Sequence, residues 1–194
     1  MSEGATLIIL AGGESKRMGR PKHLLPKPRG GTVLEHLIAR LSPMFTETLV
    51  VGRNLMSPSG NVRVVEDLYL ARSPLIGIYS GLLAAKTDLS FVVACDMPFV
   101  RSSLVEHILS RSSGADVCVP IVNGYYEPLC AAYRRTAIPA IAEAIGRGTL
   151  KVTAPYDDLN LRTISEDELR RFDRDLVSFT NLNVPHQLEL LARL

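Results

Sequence analysis

Four short, largely apolar runs constrain this chain more than any other feature: Thr6–Leu10, Thr48–Val51, Val62–Val65 and Phe91–Ala94. Apolar stretches of this length suit strands buried on both faces. Helical patterns lie between and after them. Val33–Leu41 places Val33, Leu34, Leu37, Ile38 and Leu41 at helical spacing, and Leu75–Ala85 is an apolar stretch of helical length. Ser103–Ser110 opens with Ser103 and, three residues on, Glu106, the pattern of a capping box. Strands that alternate with helices imply βαβ units. The expected fold is a Rossmann-like α/β domain over residues 1–194, with a mostly parallel twisted sheet and helices on both faces.

The order loosens after the apolar run Val117–Val122. Asn123-Gly124 is a tight-turn signal, so a hairpin or an excursion from the sheet is expected there. Thr136–Ile145 reads as a helix stopping at Gly146, and Ser165 with Glu168 as a second capping box for a helix to about Phe172. Pro185 begins a final amphipathic helix through Leu194. Gly146–Asn160 has no clear pattern, and no repeat or linker divides the chain.

Composition excludes several classes. With 46% hydrophobic and 22% charged residues the chain is too apolar for disorder. At 194 residues it can bury roughly 70% of its unfolded surface, so it needs no disulfide or metal staple. A net charge of +2 does not suggest a nucleic-acid binder. No apolar run approaches the ~18 residues of a membrane span, and the first residues lack a leader pattern. Cys95, Cys118 and Cys130, odd in number and set among apolar residues, read as reduced core thiols. A cytoplasmic protein without nucleic-acid or membrane partners is expected.

The stretch Leu10-Ala11-Gly12-Gly13-Glu14-Ser15-Lys16-Arg17-Met18-Gly19-Arg20-Pro21-Lys22 carries the most functional information. It leaves the first buried strand where open parallel sheets place their ligands. Gly12 and Gly13 allow backbone N–H groups to face a phosphate. Lys16, Arg17, Arg20, Lys22, Lys27 and Arg29 stand against Glu14 alone, a local excess of five positive charges. A polyanion is the natural ligand. Neither G-x-x-x-x-G-K-[ST] nor G-x-G-x-x-G is present, so an ATPase P-loop and a dinucleotide fingerprint are not supported.

Asp96 follows the apolar run ending at Cys95, which puts its carboxylate at the carboxyl end of the sheet. A nucleoside triphosphate needs Mg²⁺, usually held by one or two carboxylates and phosphate oxygens. A turn or cap role for Asp96 is the structural alternative. Asp67, taken alone, reads as a turn residue after Val62–Val65. Asn181 and Asn183 flank Leu182 and would point the same way in a strand. Tyr125, Tyr126 and Tyr133 read as packing residues. The four histidines share no metal-ligand spacing, so zinc is not expected.

The loop L-A-G-G-x-S-x-R-M-G-x-x-K resembles the signature of the molybdopterin nucleotidyltransferase family, and most of all its molybdenum cofactor guanylyltransferase branch. Val65-Glu66-Asp67, Pro74-Leu75-Ile76-Gly77-Ile78, Cys95-Asp96-Met97-Pro98, Pro128-Leu129-Cys130-Ala131-Ala132-Tyr133 and Asn181-Leu182-Asn183-Val184-Pro185 resemble further family motifs in order. The chain departs from the pattern with Ser73 before Pro-Leu, Gly52 where the guanylyltransferases often have Asn, and Val184 for Thr. Arg20-Pro21-Lys22-His23-Leu24-Leu25-Pro26 also resembles the cytidylyltransferase sibling.

The resemblance implies transfer of GMP from GTP to molybdopterin, with pyrophosphate released and Mg²⁺ as cofactor. It implies nucleotide contacts from Leu10, Ala11, Gly12, Gly13, Lys22, Asp67 and Asp96. Arg17, Lys22 and Asp96 would be catalytic, Asp96 the metal ligand, and Asn181 and Asn183 the acceptor contacts. Transient contact with other cofactor-biosynthesis proteins would follow. The alternatives are cytidylyl transfer, transfer to a sugar-like phosphate, and a non-catalytic nucleotide sensor.

Overall fold

In the computed structural model, residues 4–12, 30–53, 55, 62–69, 71 and 73–182 are described. Strand β1 (Ala5–Leu10) lies at the heart of a sheet, and its Leu7, Ile8 and Ile9 are wholly buried. Parallel partners flank it: β2 (Glu47–Val51) on one side and β4 (Leu89–Ala94) on the other, with β3 (Val62–Val65) beyond β2.

Helix α1 (Val33–Leu41) runs as the spacing predicts. It starts at a capping box that the sequence reading passed over. Thr32 Oγ1 accepts from Glu35 N at 3.2 Å, and Glu35 Oε2 accepts from Thr32 N at 2.7 Å. Helix α2 (Pro74–Ala84) is capped by Ser73, whose hydroxyl accepts from Leu75 N and donates to Leu150 O. The Ser that departs from the family pattern therefore serves as an N-cap and ties down the 146–160 stretch.

The expected box at Ser103 is not formed. Helix α3 (Ser102–Arg111) begins one residue earlier, with Arg101 at the N-cap position and no side-chain cap. Ser103 is thus already inside the first turn, and its hydroxyl reaches Phe172 O instead.

After α3 the sheet becomes mixed. Strand β5 (Val117–Val122) turns through Asn123 and Gly124, with φ of 51° and 78°, into β6 (Tyr125–Tyr126). That is the expected hairpin. Strand β7 (Cys130–Arg134) inserts antiparallel between β4 and β5, which the sequence reading did not foresee. Strand β8 (Leu161–Ile164) adds a parallel partner to β5. The order is β3-β2-β1-β4-β7-β5-β6, with β8 beside β5.

Helix α4 (Ile138–Gly146) is shorter at its start than expected, because a tight 3-10 turn takes Arg135–Ala137. Helix α5 (Glu166–Leu169) also stops short of Phe172. Ser165 caps it as expected by accepting from Glu168 N, but the Glu168 carboxylate pairs with His107 (2.9 Å) and Arg111 (3.1 Å) of α3. The final helix expected from Pro185 lies outside the described residues.

Alternate side chains of β1 face different helices. Leu7 and Ile9 pack with Leu37 and Leu41 of α1 and Leu104 and Ile108 of α3. Ile8 and Leu10 pack with Ile76, Ile78 and Leu82 of α2 and Ile141 of α4. Helices on both faces are thus observed. Helix α1 connects β1 to β2 and α2 connects β3 to β4 on the opposite face, so the strand order reverses between β1 and β4. Such a reversal opens a crevice at the carboxyl ends of the two strands.

All three cysteines are buried, and none is in a disulfide. Burial pushes the Cys118 thiol up to about 11 and the Cys130 thiol higher still. Since the thiolate is the reactive form, iodoacetamide at pH 8 should leave all three unlabelled in the folded protein and alkylate them in denaturant. Rapid labelling of Cys118 or Cys130 in the folded state would contradict this packing.

Candidate active site

The crevice is built by continuing the parallel ladder one residue beyond each strand. Ala11 N donates to Val51 O at 2.8 Å, Gly52 N to Val65 O at 3.0 Å, and Cys95 N to Leu10 O at 3.0 Å. Four chain segments therefore leave the sheet side by side, carrying Gly12, Gly52, Asp67 and Asp96.

Gly52 is the tightest of these positions. A Cβ there would lie 2.9 Å from Gly12 N and 3.2 Å from Ala11 C. The glycine thus lets the first loop lie directly against the end of β2. The sequence reading treated Gly52 only as a departure from the family pattern, and its fit against Gly12 is visible only once the strands are paired. Gly12 itself is exposed, while Leu10 and Ala11 are buried beneath it.

Asp67 is not the exposed turn residue that its local sequence suggests. Its Oδ2 lies 3.6 Å from where a Cβ on Gly12 would stand, and its Oδ1 the same distance from one on Gly77 in α2. The carboxylate is wedged between two glycines, and Oδ1 is buried without a hydrogen-bond partner among the described residues. Burial raises its pKa, and the Arg53 charge opposes part of that rise. Arg53, which the sequence reading passed over, donates to Tyr69 O and so stays beside Asp67. Leu68 N donates to Ser80 Oγ at 3.1 Å, which fixes the chain just past the carboxylate.

Asp96 stands at the carboxyl end of β4, partly exposed, followed by buried Met97 and Pro98. Arg40 of α1 donates to Pro98 O at 3.0 Å and Val100 O at 2.9 Å, holding the loop from below. From the other side, Leu182 N donates to Asp96 O at 2.8 Å. Leu182 is fully buried, so Asn181 is brought beside Asp96.

A second fastening lies behind this contact. The buried Asp173 accepts from Ser178 N at 2.7 Å and faces Arg101 Nε at 3.3 Å, while Ser178 Oγ accepts from Arg101 N at 3.0 Å. Segment 173–182 is thereby stapled to segment 96–101 at two points. No sequence motif signals this.

Of the residues expected at the site, Leu10, Ala11, Gly12, Asp67, Asp96 and Asn181 line one end of the sheet. Gly13, Arg17, Lys22 and Asn183 lie outside the described residues. Tyr133 is buried and packs as expected, its hydroxyl donating to Pro128 O at 2.8 Å and lying 3.2 Å from that of Tyr156. Tyr125 does not pack: it is 76% exposed, because the hairpin carries it beyond the sheet. No group of three metal-ligating side chains occurs among the described residues, and no helix there is long and apolar enough to cross a membrane.

A glycine and two strand-end carboxylates at the reversal of a largely parallel sheet mark the ligand crevice of a doubly wound α/β domain of the nucleotide-binding kind. The chain belongs to the MobA-like NTP transferase domain family, whose model matches residues 7–159. It is 34% identical to the molybdenum cofactor guanylyltransferase of Desulfosudis oleivorans, over 96% of this chain and 94% of that protein. It is 36% identical to the probable molybdenum cofactor guanylyltransferase of Pelotomaculum thermopropionicum, over 95% and 90%.

Among solved structures, molybdopterin-guanine dinucleotide biosynthesis protein A from Archaeoglobus fulgidus superposes with a TM-score of 0.85. The two share 29% identity over 97% of both chains. The 2-C-methyl-D-erythritol 4-phosphate cytidylyltransferase of Thermus thermophilus shares the fold, with a TM-score of 0.72 at 18% identity over 98% of both chains.

Two substitutions probe this geometry. Gly52→Ala forces the first loop outward, and overpacking of this kind costs about 1–3 kcal/mol. It should lower the melting temperature and raise the Michaelis constant for the nucleotide, as read by calorimetry and steady-state kinetics. An unchanged nucleotide constant would show that the Gly12 loop does not touch the ligand.

Asp67→Asn should act in opposite directions on stability and binding. A carboxyl whose pKa is raised by folding favours the folded state below its unfolded value of about 4. That contribution is lost as pH rises through the higher folded value, and the charge then opposes folding. Asn removes this opposition, so the variant should melt higher than the parent at pH 7 and no higher at pH 3. Nucleotide protection should fall at the same time.

Proposed function

We propose that the chain transfers GMP from GTP to molybdopterin, giving the guanine dinucleotide form of the cofactor and pyrophosphate. The observation that carries this reading is the placement of Gly12 and Asp96 just past the paired ends of β1 and β4, in a chain that matches guanylyltransferases along nearly its whole length.

The reaction is attack by the acceptor's terminal phosphate on the α-phosphate of GTP. The nucleophile is already an anion at neutral pH, so no general base is required. Alignment and neutralisation of charge are what the protein must provide. In this proposal the backbone N–H groups of Gly12 and Gly13 hold phosphate oxygens above Leu10 and Ala11. Arg17 and Lys22 neutralise the triphosphate and the departing pyrophosphate. The Asp67 carboxylate accepts from guanine N1–H and the 2-amino group, a donor pair that adenine lacks. Asn181 and Asn183 hold the acceptor.

Asp96 would hold Mg²⁺, a cation that is usually bound by one or two carboxylates together with phosphate oxygens. When bound, the metal supplies positive charge to the reacting phosphates. Buried cysteines outside any disulfide suit the cytoplasm as the place of work. Passing the product on would require transient contact with other cofactor-biosynthesis proteins.

Base choice is tested by heat protection. GTP with Mg²⁺ at 100 times its dissociation constant should stabilise the protein by about 2.7 kcal/mol, well beyond CTP or ATP at equal concentration. Greater protection by CTP would overturn the guanine assignment in favour of cytidylyl transfer.

Turnover tests the carboxylate and the loop. Asp96→Asn and Lys22→Ala should each lower pyrophosphate release by about 10²-fold, or ~2.7 kcal/mol on the barrier, with little change in melting temperature. Near-normal turnover of the Asp96 variant at low Mg²⁺ would reduce Asp96 to a turn residue. Nucleotide binding by the unaltered chain with no pyrophosphate release would favour a sensor.

A further inference from the structure

The turn that feeds β7 carries a carboxylate without a use in the site so far. Ala94 N donates to Leu129 O at 3.0 Å, which lays this turn along the end of β4, two residues before Asp96. Glu127 N donates to Pro120 O at 2.9 Å, and Cys130 N to Glu127 O at 3.1 Å, so the backbone of Glu127 is held on both sides. Its side chain is half-buried and has no hydrogen-bond or ion-pair partner among the described residues. Burial raises its pKa, and among the described residues no charge opposes the rise in the way Arg53 does at Asp67.

The hairpin before Glu127 is pinned, yet it leaves an aromatic ring in water. Asn123 N donates to Glu166 Oε2 at 2.9 Å, and both turn residues have positive φ. Tyr126 meets Tyr156 edge-on, with ring centroids 5.3 Å apart. Tyr125, next to it, is 76% exposed. Strands β4 and β5 both run antiparallel to β7, so the hairpin leaves the sheet at the same end as Asp96. β6 pairs with the end of β5 on the edge where β7 pairs with its start, since Glu127 N and Arg134 N both donate across that edge, to Pro120 O and Asp116 O. Asp67 lies on the other side of Asp96, beyond β1 and β2.

We propose that Glu127 and Tyr125 recognise the pterin end of the acceptor, the carboxylate accepting from the ring N3–H and 2-amino group and the Tyr125 ring covering one ring face. This rests on the reading of the chain as a molybdopterin guanylyltransferase. The pyrimidinone edge of a pterin carries the same adjacent N–H and amino donors as guanine, so a carboxylate answers both. The two halves of the substrate pair are then read alike from opposite sides of Asp96. Asp67 takes the nucleotide on the β3 side and Glu127 the acceptor on the β7 side, with the reacting phosphates meeting at the β1–β4 crevice.

The test compares Glu127→Gln and Tyr125→Ala with the unaltered protein. Neither side chain holds the fold together, so melting temperature and GTP protection should stay unchanged. In steady state, the Michaelis constant for molybdopterin should rise about tenfold or more in each variant, while that for GTP stays within about twofold. An acceptor constant that moves less than about twofold in both variants would overturn the proposal, as would parallel loss of both constants and of melting temperature.

A binding measurement separates this inference from the function beneath it. The fluorescent pterin 6-hydroxymethylpterin monophosphate should bind the unaltered protein and bind each variant about tenfold more weakly. Such weakening in a protein that transfers no GMP would uphold the pterin site and reject the proposed function. Full transfer activity with equal pterin binding in all three proteins would do the reverse.

Discussion

The site depends on a short continuation of the sheet's hydrogen-bond ladder. Three backbone bonds, from Ala11 to Val51, Gly52 to Val65 and Cys95 to Leu10, hold the chain in register just past the point where side chains turn towards solvent. Because β1 is buried on both faces, these bonds rest on a packed core and the segments beyond them inherit its rigidity. Every described group assigned to phosphate, base or metal is within a few residues of one of them. A site held in this way is preorganised, which is what phosphoryl chemistry with an anionic nucleophile asks of a protein.

Glycine and carboxylate divide the work at these strand ends. Gly52 and Gly77 leave the space that a Cβ would fill, so the first loop and α2 close around the Asp67 carboxylate. The result is a charged group held partly out of water with one oxygen unpaired. Burying such a group costs stability, and it is retained here where a ligand with two adjacent donors would complete it. Glu127, a half-buried carboxylate on the turn before β7, stands on the far side of Asp96.

The carboxyl-terminal part of the described chain acts on the site from behind. Buried Asp173 and Ser178 form with the exposed Arg101 a network that docks residues 173–182 onto the loop carrying Asp96. Arg40 holds the same loop from α1. Asp96 therefore sits on a segment gripped by two distant parts of the chain, and Asn181 arrives beside it through the bond from Leu182.

Local pattern alone determined much of this protein. The apolar runs of β1 to β5, the spacing of α1 and α2, the Asn123-Gly124 hairpin, Gly12 just past β1 and Asp96 after β4 were all legible, because each is written in consecutive residues. Tertiary structure alone decided the rest. Strand β7 has the weak pattern Cys-Ala-Ala-Tyr-Arg and becomes a central strand only because β4 and β5 stand on either side of it. Ser103 looked like a cap and is not, since the helix starts where Arg101 is held by Ser178. Asp67 looked like a turn residue, Gly52 like a departure from pattern and Tyr125 like a packing residue. Burial and partners correct all three readings, and both are set by residues far away in sequence. Periodicity records what a segment does to itself, whereas a site is made of what separate segments do to one another.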